Sequence, residues 1–274
     1  MENLIIVRGG GDIATGTIHK LHRCGFQVII LEIPKPSAIR RKVAFSEAMY
    51  DGEAVVEGVL CRKAGGIQEV WRILEEGDIP VIADEHCNIL KHFPPLALVD
   101  GILAKKNMGT NKAMAPITVA LGPGFEAGVD VDAVIETQRG HDLGRILFTG
   151  FAAKNTGVPG IIGGYGRERV IHSPASGTIK NLSHISDTVA KGQVIATVGE
   201  ARVEATIDGI LRGIIKDGYP VEKGLKIADI DPRIEEKKNC FTISDKARCI
   251  GGSVLEAILY LQKRKNMKFL AFES

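Results

Sequence analysis

The strongest indication of the fold is the stretch Leu4-Ile5-Ile6-Val7-Arg8-Gly9-Gly10-Gly11-Asp12-Ile13-Ala14-Thr15-Gly16. Its apolar run predicts a buried strand, and the glycines that follow predict a tight turn at the start of a helix. The backbone N–H groups of such a turn, together with the helix N-terminus, favour a phosphate or another anion. The glycine spacing fits the G-x-G-x-x-G/A pattern of dinucleotide-binding turns. We therefore take as cofactor-binding candidates Gly9, Gly10, Gly11, Asp12 and Ile13.

A second apolar strand follows the predicted helix and ends in an acid. Val28-Ile29-Ile30-Leu31 precedes Glu32. Glu32 lies roughly 20 residues beyond the glycine turn, where a ribose-binding carboxylate is expected. It is therefore a further cofactor-binding candidate. The sequence leaves one alternative open, a plain βαβ unit whose glycines serve only the close packing of helix and strand.

The composition is typical of a soluble globular protein, and the charges nearly balance. Of 274 residues, 45% are hydrophobic and 25% charged, and 35 Lys+Arg against 33 Asp+Glu give a net charge of +2. This balance provides no general field for nucleic acid or a membrane surface, and 5% aromatic residues disfavour base-stacking platforms. The five cysteines form no C-x-x-C pair. We expect a cytoplasmic protein without disulfides, a signal peptide or a membrane span.

Alternating strands and helices in the first hundred residues predict an α/β fold with a mostly parallel, Rossmann-like sheet. We predict strands near 4–8, 27–32, 79–83 and 96–100, and helices near 12–24, 37–49 and 67–76. Beyond residue 100, short apolar runs alternate with polar and glycine-rich loops. We interpret these runs as an extension of the same domain, which we place at 1–168.

An internal repeat with an offset of 32 residues occupies 172–230. The matching pairs are Gly177/Gly209, Val189/Val221, Lys191/Lys223, Gly192/Gly224, Ile195/Ile227 and Ala196/Ala228. Neither copy could bury its apolar face alone, so the two must pack together. The segment resembles the biotinyl/lipoyl carrier fold, a barrel-sandwich hybrid, but its link Gly199-Glu200-Ala201-Arg202 has no lysine for modification. We predict a small all-β docking domain at 169–232, and a C-terminal segment at 233–274 whose helix packs back on the first domain.

Asp84-Glu85-His86-Cys87 directly follows the strand predicted near 79–83. Open α/β sheets bind ligands at this carboxyl end, so Asp84 is a binding candidate. Cys87 beside His86 is a candidate thiolate of lowered pKa that attacks or carries sulfur. The alternative is a half-buried structural cysteine. Adjacent ligands are poorly spaced for a tetrahedral metal site, so we predict no bound metal.

Two polar loops follow later apolar runs. The first contains Lys105, Lys106, Asn107 and Thr110, whose cations and small donors suit a phosphate or oxyanion. The second contains Glu136, Arg139 and His141. An arginine forks onto phosphate or carboxylate, and a histidine near pH 7 transfers protons, so His141 joins His86 and Cys87 as a catalytic candidate. Solvated surface loops are the alternative for both.

Four of these stretches together resemble the YqeB family, accessory proteins of selenium-dependent molybdenum hydroxylases. They are Arg8–Gly16, Ala104–Asn107, Leu121–Phe125 and Val134–His141. The resemblance spans nearly the whole chain. It implies a role in maturing a molybdenum hydroxylase as client enzyme, with binding of a phosphorylated molybdopterin-type cofactor and assistance in selenium or sulfur insertion. It implies no particular catalytic residue.

Two other functions stay open. One is an NAD(P)-dependent oxidoreductase, for which Glu32 favours NAD, although no Tyr-x-x-x-Lys pair stands out. The other is a non-catalytic scaffold that docks the client enzyme through the repeat. Whether the chain catalyses a reaction, and whether it forms a homodimer, also stay open.

Overall fold

The computed structural model describes residues 3–157 and 160–268, which form two compact units. The first unit comprises Met1–Pro36, Ala44–Asn155 and Ile243–Ser274, and the second comprises Ser37–Val43 and Thr156–Thr242. The domain limits 1–168, 169–232 and 233–274 therefore differ from these units by about a dozen residues at each boundary. They stay an expectation about which parts fold independently.

The first unit is built on a nine-stranded sheet with helices on both faces. The strands of the whole unit are β1 (Leu4–Arg8), β2 (Gln27–Glu32), β3 (Glu53–Val56), β4 (Val59–Lys63), β5 (Ile79–Ala83), β6 (Ala97–Asp100), β7 (Ile117–Leu121), β8 (Glu126–Ala127), β9 (Ala133–Ile135), β10 (Ile146–Leu147) and β11 (Gly150–Phe151). Its α-helices are α1 (Asp12–Arg23), α2 (Ala48–Asp51), α3 (Ile67–Glu75) and α4 (Asp245–Arg264). The sheet order is β10-β9-β7-β6-β1-β2-β5-β4-β3, and β8 pairs separately with β11.

The central strands form because their apolar runs suit a strand that is covered on both faces. All five residues of β1 are buried. On one face, Val70, Ile73 and Leu74 of α3 pack with Leu4 and other core residues. On the other face, α1 packs against α4. The two helices touch where a Cβ on Gly16 would lie 2.6 Å from the carbonyl oxygen of Ala247, so this crossing requires glycine.

The expected fold class, a Rossmann-like mostly parallel domain with a barrel-sandwich domain, is wrong. The main sheet is mixed, because β3 and β10 run antiparallel to their neighbours at its two edges. Rossmann-like domains alternate strand and helix. Here β6, β7 and β9 follow one another with no α-helix between them. That part of the sheet is covered instead by α4, which comes from the other end of the chain.

The helix predicted near 37–49 is also wrong. The segment forms two short 3-10 turns, Arg41–Val43 and Phe45–Glu47, before the one-turn helix α2. The physical reason is that the chain divides here: Ser37–Val43 belongs to the second unit, and the residues from Ala44 to the first. Buried residues on both sides of this division produce an apolar pattern that resembles a helix.

The second unit contains two four-stranded antiparallel sheets. Its strands are β12 (Val170–His172), β13 (Gly177–Asn181), β14 (Thr188–Val189), β15 (Val194–Val198), β16 (Ala201–Glu204), β17 (Gly209–Ile214), β18 (Pro220–Val221) and β19 (Lys226–Asp231). The sheet orders are β12-β19-β17-β14 and β16-β15-β13-β18. The short third strand of each repeat copy pairs with the second strand of the other copy, β14 with β17 and β18 with β13. This exchange confirms that the two copies must pack together.

Candidate functional site

The sequence-predicted binding segments meet at one edge of the nine-stranded sheet. β6, β1, β2 and β5 are neighbours and run parallel, so their carboxyl ends lie side by side. The glycine turn follows β1, Glu32 ends β2, and Asp84 follows β5. The loop that contains Lys105, Lys106, Asn107 and Thr110, called the lysine loop below, follows β6. A Cβ on Gly9 would lie 3.1 Å from the backbone of Gly101 and Ile102, so the loops after β1 and β6 are in direct contact.

The three glycines of the turn have different reasons to be glycine. Gly9 has a positive φ of +89°. A Cβ on Gly10 would lie 3.0 Å from the backbone nitrogen of Ser46. Both positions are thus explained by the protein's own packing. Gly11, the N-cap of α1, has an ordinary φ of −64°, and a Cβ there would meet nothing within 4 Å. The fold itself does not require glycine at position 11.

Glu32 closes the glycine turn from within the protein. Its carboxylate accepts a hydrogen bond of 2.6 Å from the Gly10 N–H and one of 2.9 Å from the Ile33 N–H. Burial raises the pKa of Glu32, and these two bonds oppose the rise. The Gly10 amide is therefore already bound to an acid. An incoming anion is left with the amides from position 11 onwards.

Arg8 is the functional-site residue that sequence reasoning missed. It is 5% exposed, and its guanidinium donates to Thr110 Oγ1 at 2.5 Å and to the carbonyl oxygens of Glu85 at 3.0 Å and Met108 at 3.2 Å. Asp100 lies 3.5 Å away and accepts from Thr110 Oγ1 at 2.6 Å. Arg8 thus joins the loops after β5 and β6. Its signal in the sequence is a charge at the end of a fully apolar strand.

The lysine loop combines anchored and free side chains. Thr110 is fully buried between Arg8 and Asp100. Asn107 donates to the Thr110 carbonyl at 2.8 Å and accepts from the Gly109 N–H at 2.8 Å, so it fixes the loop. Lys105 and Lys106 are exposed, and among residues 3–157 and 160–268 neither side chain takes part in a hydrogen bond or ion pair. These two ammonium groups are available to a ligand.

Asp84, His86 and Cys87 lie at the end of β5 in different settings. Asp84 caps the 3-10 turn Asn88–Lys91, because its carboxylate accepts from the Ile89 N–H at 2.8 Å. His86 is exposed. Cys87 has a left-handed φ of 57° and belongs to the core cluster that includes Phe93. Burial raises the pKa of the Cys87 thiol, opposite to the lowered value expected of a reactive thiolate.

Two of the three candidates in the loop after β9 are engaged by the protein itself. Glu136 is buried and accepts from the Gln138 N–H and the Ala153 N–H, each at 2.7 Å. Arg139 forks onto Asp245 at the start of α4, with both bonds at 2.8 Å, and this contact raises its pKa. His141 is exposed. The Arg139 guanidinium, which the sequence suggested as a ligand-binding group, is therefore bound to an acid of the protein itself.

Metal-ligand clusters and membrane-spanning helices are both absent from the part of the chain that the structure describes. No cluster of three or more His, Cys, Asp and Glu side chains there is placed to hold a metal ion. None of the described helices combines the length and apolar character that a membrane crossing needs.

The chain is 50% identical, over 260 residues and 95% of its length, to the Escherichia coli (strain K12) protein named "Uncharacterized protein YqeB". The chain is thus similar to this protein, whose name states no activity. The chain spans about half the length of this curated relative, 48%. No protein-family model matches the chain.

The chain also has low-scoring similarity to solved structures, three of which follow. The ectoine utilization protein EutE (DoeB) from Ruegeria pomeroyi, with product bound, is 11% identical with a TM-score of 0.23 over 82% of this chain and 56% of that one. An aspartoacylase family protein from Mesorhizobium loti is 9% identical with a TM-score of 0.27, covering 84% of each chain. A succinylglutamate desuccinylase/aspartoacylase from Rhodobacter sphaeroides is 14% identical with a TM-score of 0.24, covering 84% and 85%. Superpositions this poor establish neither a shared fold nor a shared activity.

Proposed function

We propose that this chain, a relative of YqeB, binds a phosphorylated cofactor of the molybdopterin or nucleotide type at the carboxyl edge of its nine-stranded sheet. We further propose that it is an accessory protein in the maturation of a selenium-dependent molybdenum hydroxylase, its client enzyme. The accessory role, the client and the assistance in selenium or sulfur insertion rest on the family resemblance. The ligand and its place rest on the geometry of the site.

One observation carries the ligand proposal: the open space in front of Gly11. Close packing accounts for Gly9 and Gly10, but a Cβ on Gly11 would meet nothing within 4 Å. A glycine that the fold does not require, at the start of a 12-residue helix, is what close approach of a ligand to the backbone needs. The phosphate then lies against the first amides of α1, where the helix dipole favours negative charge.

The charged groups at the carboxyl ends of β2 and β6 offer the ligand two kinds of contact. Lys105 and Lys106 supply positive charge for phosphate oxygens. Glu32 repels phosphate but accepts hydrogen bonds from hydroxyl or ring N–H groups, which both a nucleotide and a pterin carry. The edge also exposes the apolar side chains of Ile33 and Ile102, which are 40% and 39% exposed. A planar ring system gains from covering such surface.

The test compares two glycines that occupy helix N-cap positions and have no side-chain-sized neighbour. Gly11 begins α1 and Gly66 begins α3, and a Cβ at either position meets nothing within 4 Å. Alanine is a poorer N-cap residue than glycine, which lowers the stability of the helix, but it also lowers the conformational entropy of the unfolded chain, which raises the stability of the protein. Each variant is therefore expected to fold within about 1 kcal/mol of the parent. In calorimetric titrations with molybdopterin cofactor and its nucleotide forms, Gly11→Ala should weaken binding at least tenfold, and Gly66→Ala should not.

Native mass spectrometry of freshly purified protein would complement the titration by showing any retained cofactor. If the parent protein binds none of these ligands, alone or with the client enzyme, the proposal is wrong. It is also wrong if Gly11→Ala binds them as tightly as the parent, because the open space would then serve no ligand.

A further inference from the structure

A second cleft in the first unit lies at the carboxyl end of α1, the opposite end of that helix from Gly11. It has a volume of about 360 Å³. The last two turns of α1 form one wall, and the tip of the β3–β4 hairpin and Arg248 of α4 complete it. Nothing in the proposed cofactor site uses these residues.

The cleft holds an excess of positive charge. Its cations are Lys20, Arg23 and Arg248, and its single acid is Glu57. The Glu57 carboxylate is taken up by Arg248 at 2.5 Å and by the Ile243 N–H at 2.8 Å. Neither Lys20 nor Arg23 takes part in an ion pair among the residues that the structure describes. Two positive charges of the cleft are therefore left without a counter-charge.

His19 adds an unsatisfied polar atom to the same wall. Its ring hydrogen-bonds the backbone of Glu57, while its Nε2 is shielded from solvent and has no hydrogen-bond partner. Burial lowers the pKa of His19; the hydrogen bond to Glu57 and the Glu57 charge oppose this, the charges of Arg23 and Arg248 add to it, and the net shift is downward. The ring is therefore neutral near pH 7, and Nε2 is an acceptor that lacks a donor. Buried acceptors without donors are costly, so they are rare unless a ligand or water completes them.

The hairpin tip is strained in a way that builds this cleft. Glu57 and Gly58 form the two-residue turn between β3 and β4, with φ values of 47° and 82°. Asparagine, aspartate or glycine is favoured at the first position of such a turn. Glutamate is held there by its carboxylate, which reaches Arg248 and Ile243, and by its backbone, which reaches His19. Strain that the surroundings maintain is a mark of functional sites.

We propose that this cleft is a second binding site, for a small phosphate-like dianion. The anion's oxygens lie among the Lys20, Arg23 and Arg248 side chains, and its single hydroxyl group donates a hydrogen bond to His19 Nε2. Monohydrogen phosphate carries this combination of two negative charges and one donor. Chloride lacks the donor, and sulfate near neutral pH lacks the proton.

The experiment uses inorganic phosphate as the probe and the His19 ring as the reporter. The ring resonances of His19, assigned with a His19→Gln variant, are followed by NMR while phosphate replaces sodium chloride at constant ionic strength. We expect a saturable shift, and a rise in the His19 pKa because a bound anion favours the protonated ring. Sulfate at the same concentration should give a weaker effect, because it brings no donor.

A matched pair of variants decides whether the cleft is responsible. Arg23→Gln should weaken phosphate binding about tenfold, as expected for the loss of one charge-assisted contact. Arg72→Gln removes an exposed arginine from α3 and should leave it unchanged. A response that does not saturate, or one that is equal in the two variants, overturns the proposal. Gly11→Ala should retain the His19 response, which separates this site from the cofactor site.

Discussion

Replacing Arg8 with methionine removes the guanidinium that joins three segments at the carboxyl edge of the sheet. The change keeps an unbranched side chain of similar length but leaves Asp100, which is 2% exposed, without its cation. It also removes the hydrogen bonds that Arg8 donates to the Thr110 hydroxyl and to two backbone carbonyls. Breaking a buried ion pair from one side costs about 3–5 kcal/mol, because the remaining charge stays buried. We expect that loss in the free energy of unfolding at about pH 7.5.

The pH dependence tests the cause of this loss. Burial raises the pKa of Asp100, while the Thr110 hydroxyl, the Ile102 N–H and the Arg8 charge oppose the rise. Without Arg8 the folded-state pKa rises further above its unfolded value. The folded variant then takes up a proton at higher pH than the unfolded chain, so it regains stability as the pH falls. The cost of Arg8→Met should be largest above neutrality and should shrink towards pH 5.

Urea unfolding followed by tryptophan fluorescence measures this cost. Trp71 is the single tryptophan of the chain, and it packs on Phe93 in the first unit, so its signal reports the relevant core. Arg145→Met is the control, because the Arg145–Asp142 pair is more than half exposed and such pairs contribute at most about 1 kcal/mol. A cost no larger than that of the control would contradict the structural role given to Arg8. So would a cost that stays constant between pH 7.5 and 5.

Two further predictions concern stability and thiol reactivity. Gly209→Ala should destabilise the second unit by about 1–3 kcal/mol in calorimetry. A Cβ at this position would clash with the Asp231 carbonyl oxygen, and the φ of Gly209, +155°, is one that alanine rarely adopts. Gly177→Ala, its repeat partner, meets only a side-chain methyl at 3.2 Å and should cost less; equal costs would show that the close contact at Gly209 is not the cause. Iodoacetamide near pH 8 should label the exposed Cys249 well before the buried Cys87, whose thiol pKa burial raises. Early labelling of Cys87, read by peptide mass spectrometry, would restore it as a reactive thiolate.

Periodicity located the strands that are most buried but not the topology of the sheet. β1, β2 and β5 were predicted at their observed positions, since a short apolar run bounded by glycine or charge is typical of a strand buried on both faces. The hairpin β3–β4 was missed, because its strands are short and partly exposed and give no clear alternation. The apolar face of α4 predicts that this helix packs on the first domain, but local patterns carry no signal for which strands it covers, β7 and β9, because these lie far away in the sequence.

The sequence also predicts only part of the candidate site. Sequence reasoning found the segments that meet at the carboxyl edge, because each follows a strand. It did not find which side chains are free. Arg139 and Glu136 are engaged by the protein itself, whereas Lys105 and Lys106 are not, within the described parts of the chain. A charged residue in a loop looks the same in the sequence whether its partner is a ligand or an acid far away in the chain.

Two conclusions follow from the sequence alone: a glycine turn follows a buried strand, and a repeat of 32 residues must pack as a pair. Both depend on local chemistry, namely the need of glycine for tight turns and the apolar surface that one copy cannot bury alone. Only the tertiary structure shows which of the three glycines has no packing reason to be glycine. Gly11 looks like Gly9 and Gly10 in the sequence, and the difference is the empty space in front of it. The groups that pack against Gly9 and Gly10, at Gly101 and Ser46, come from distant parts of the chain, so no pattern along the chain encodes this difference.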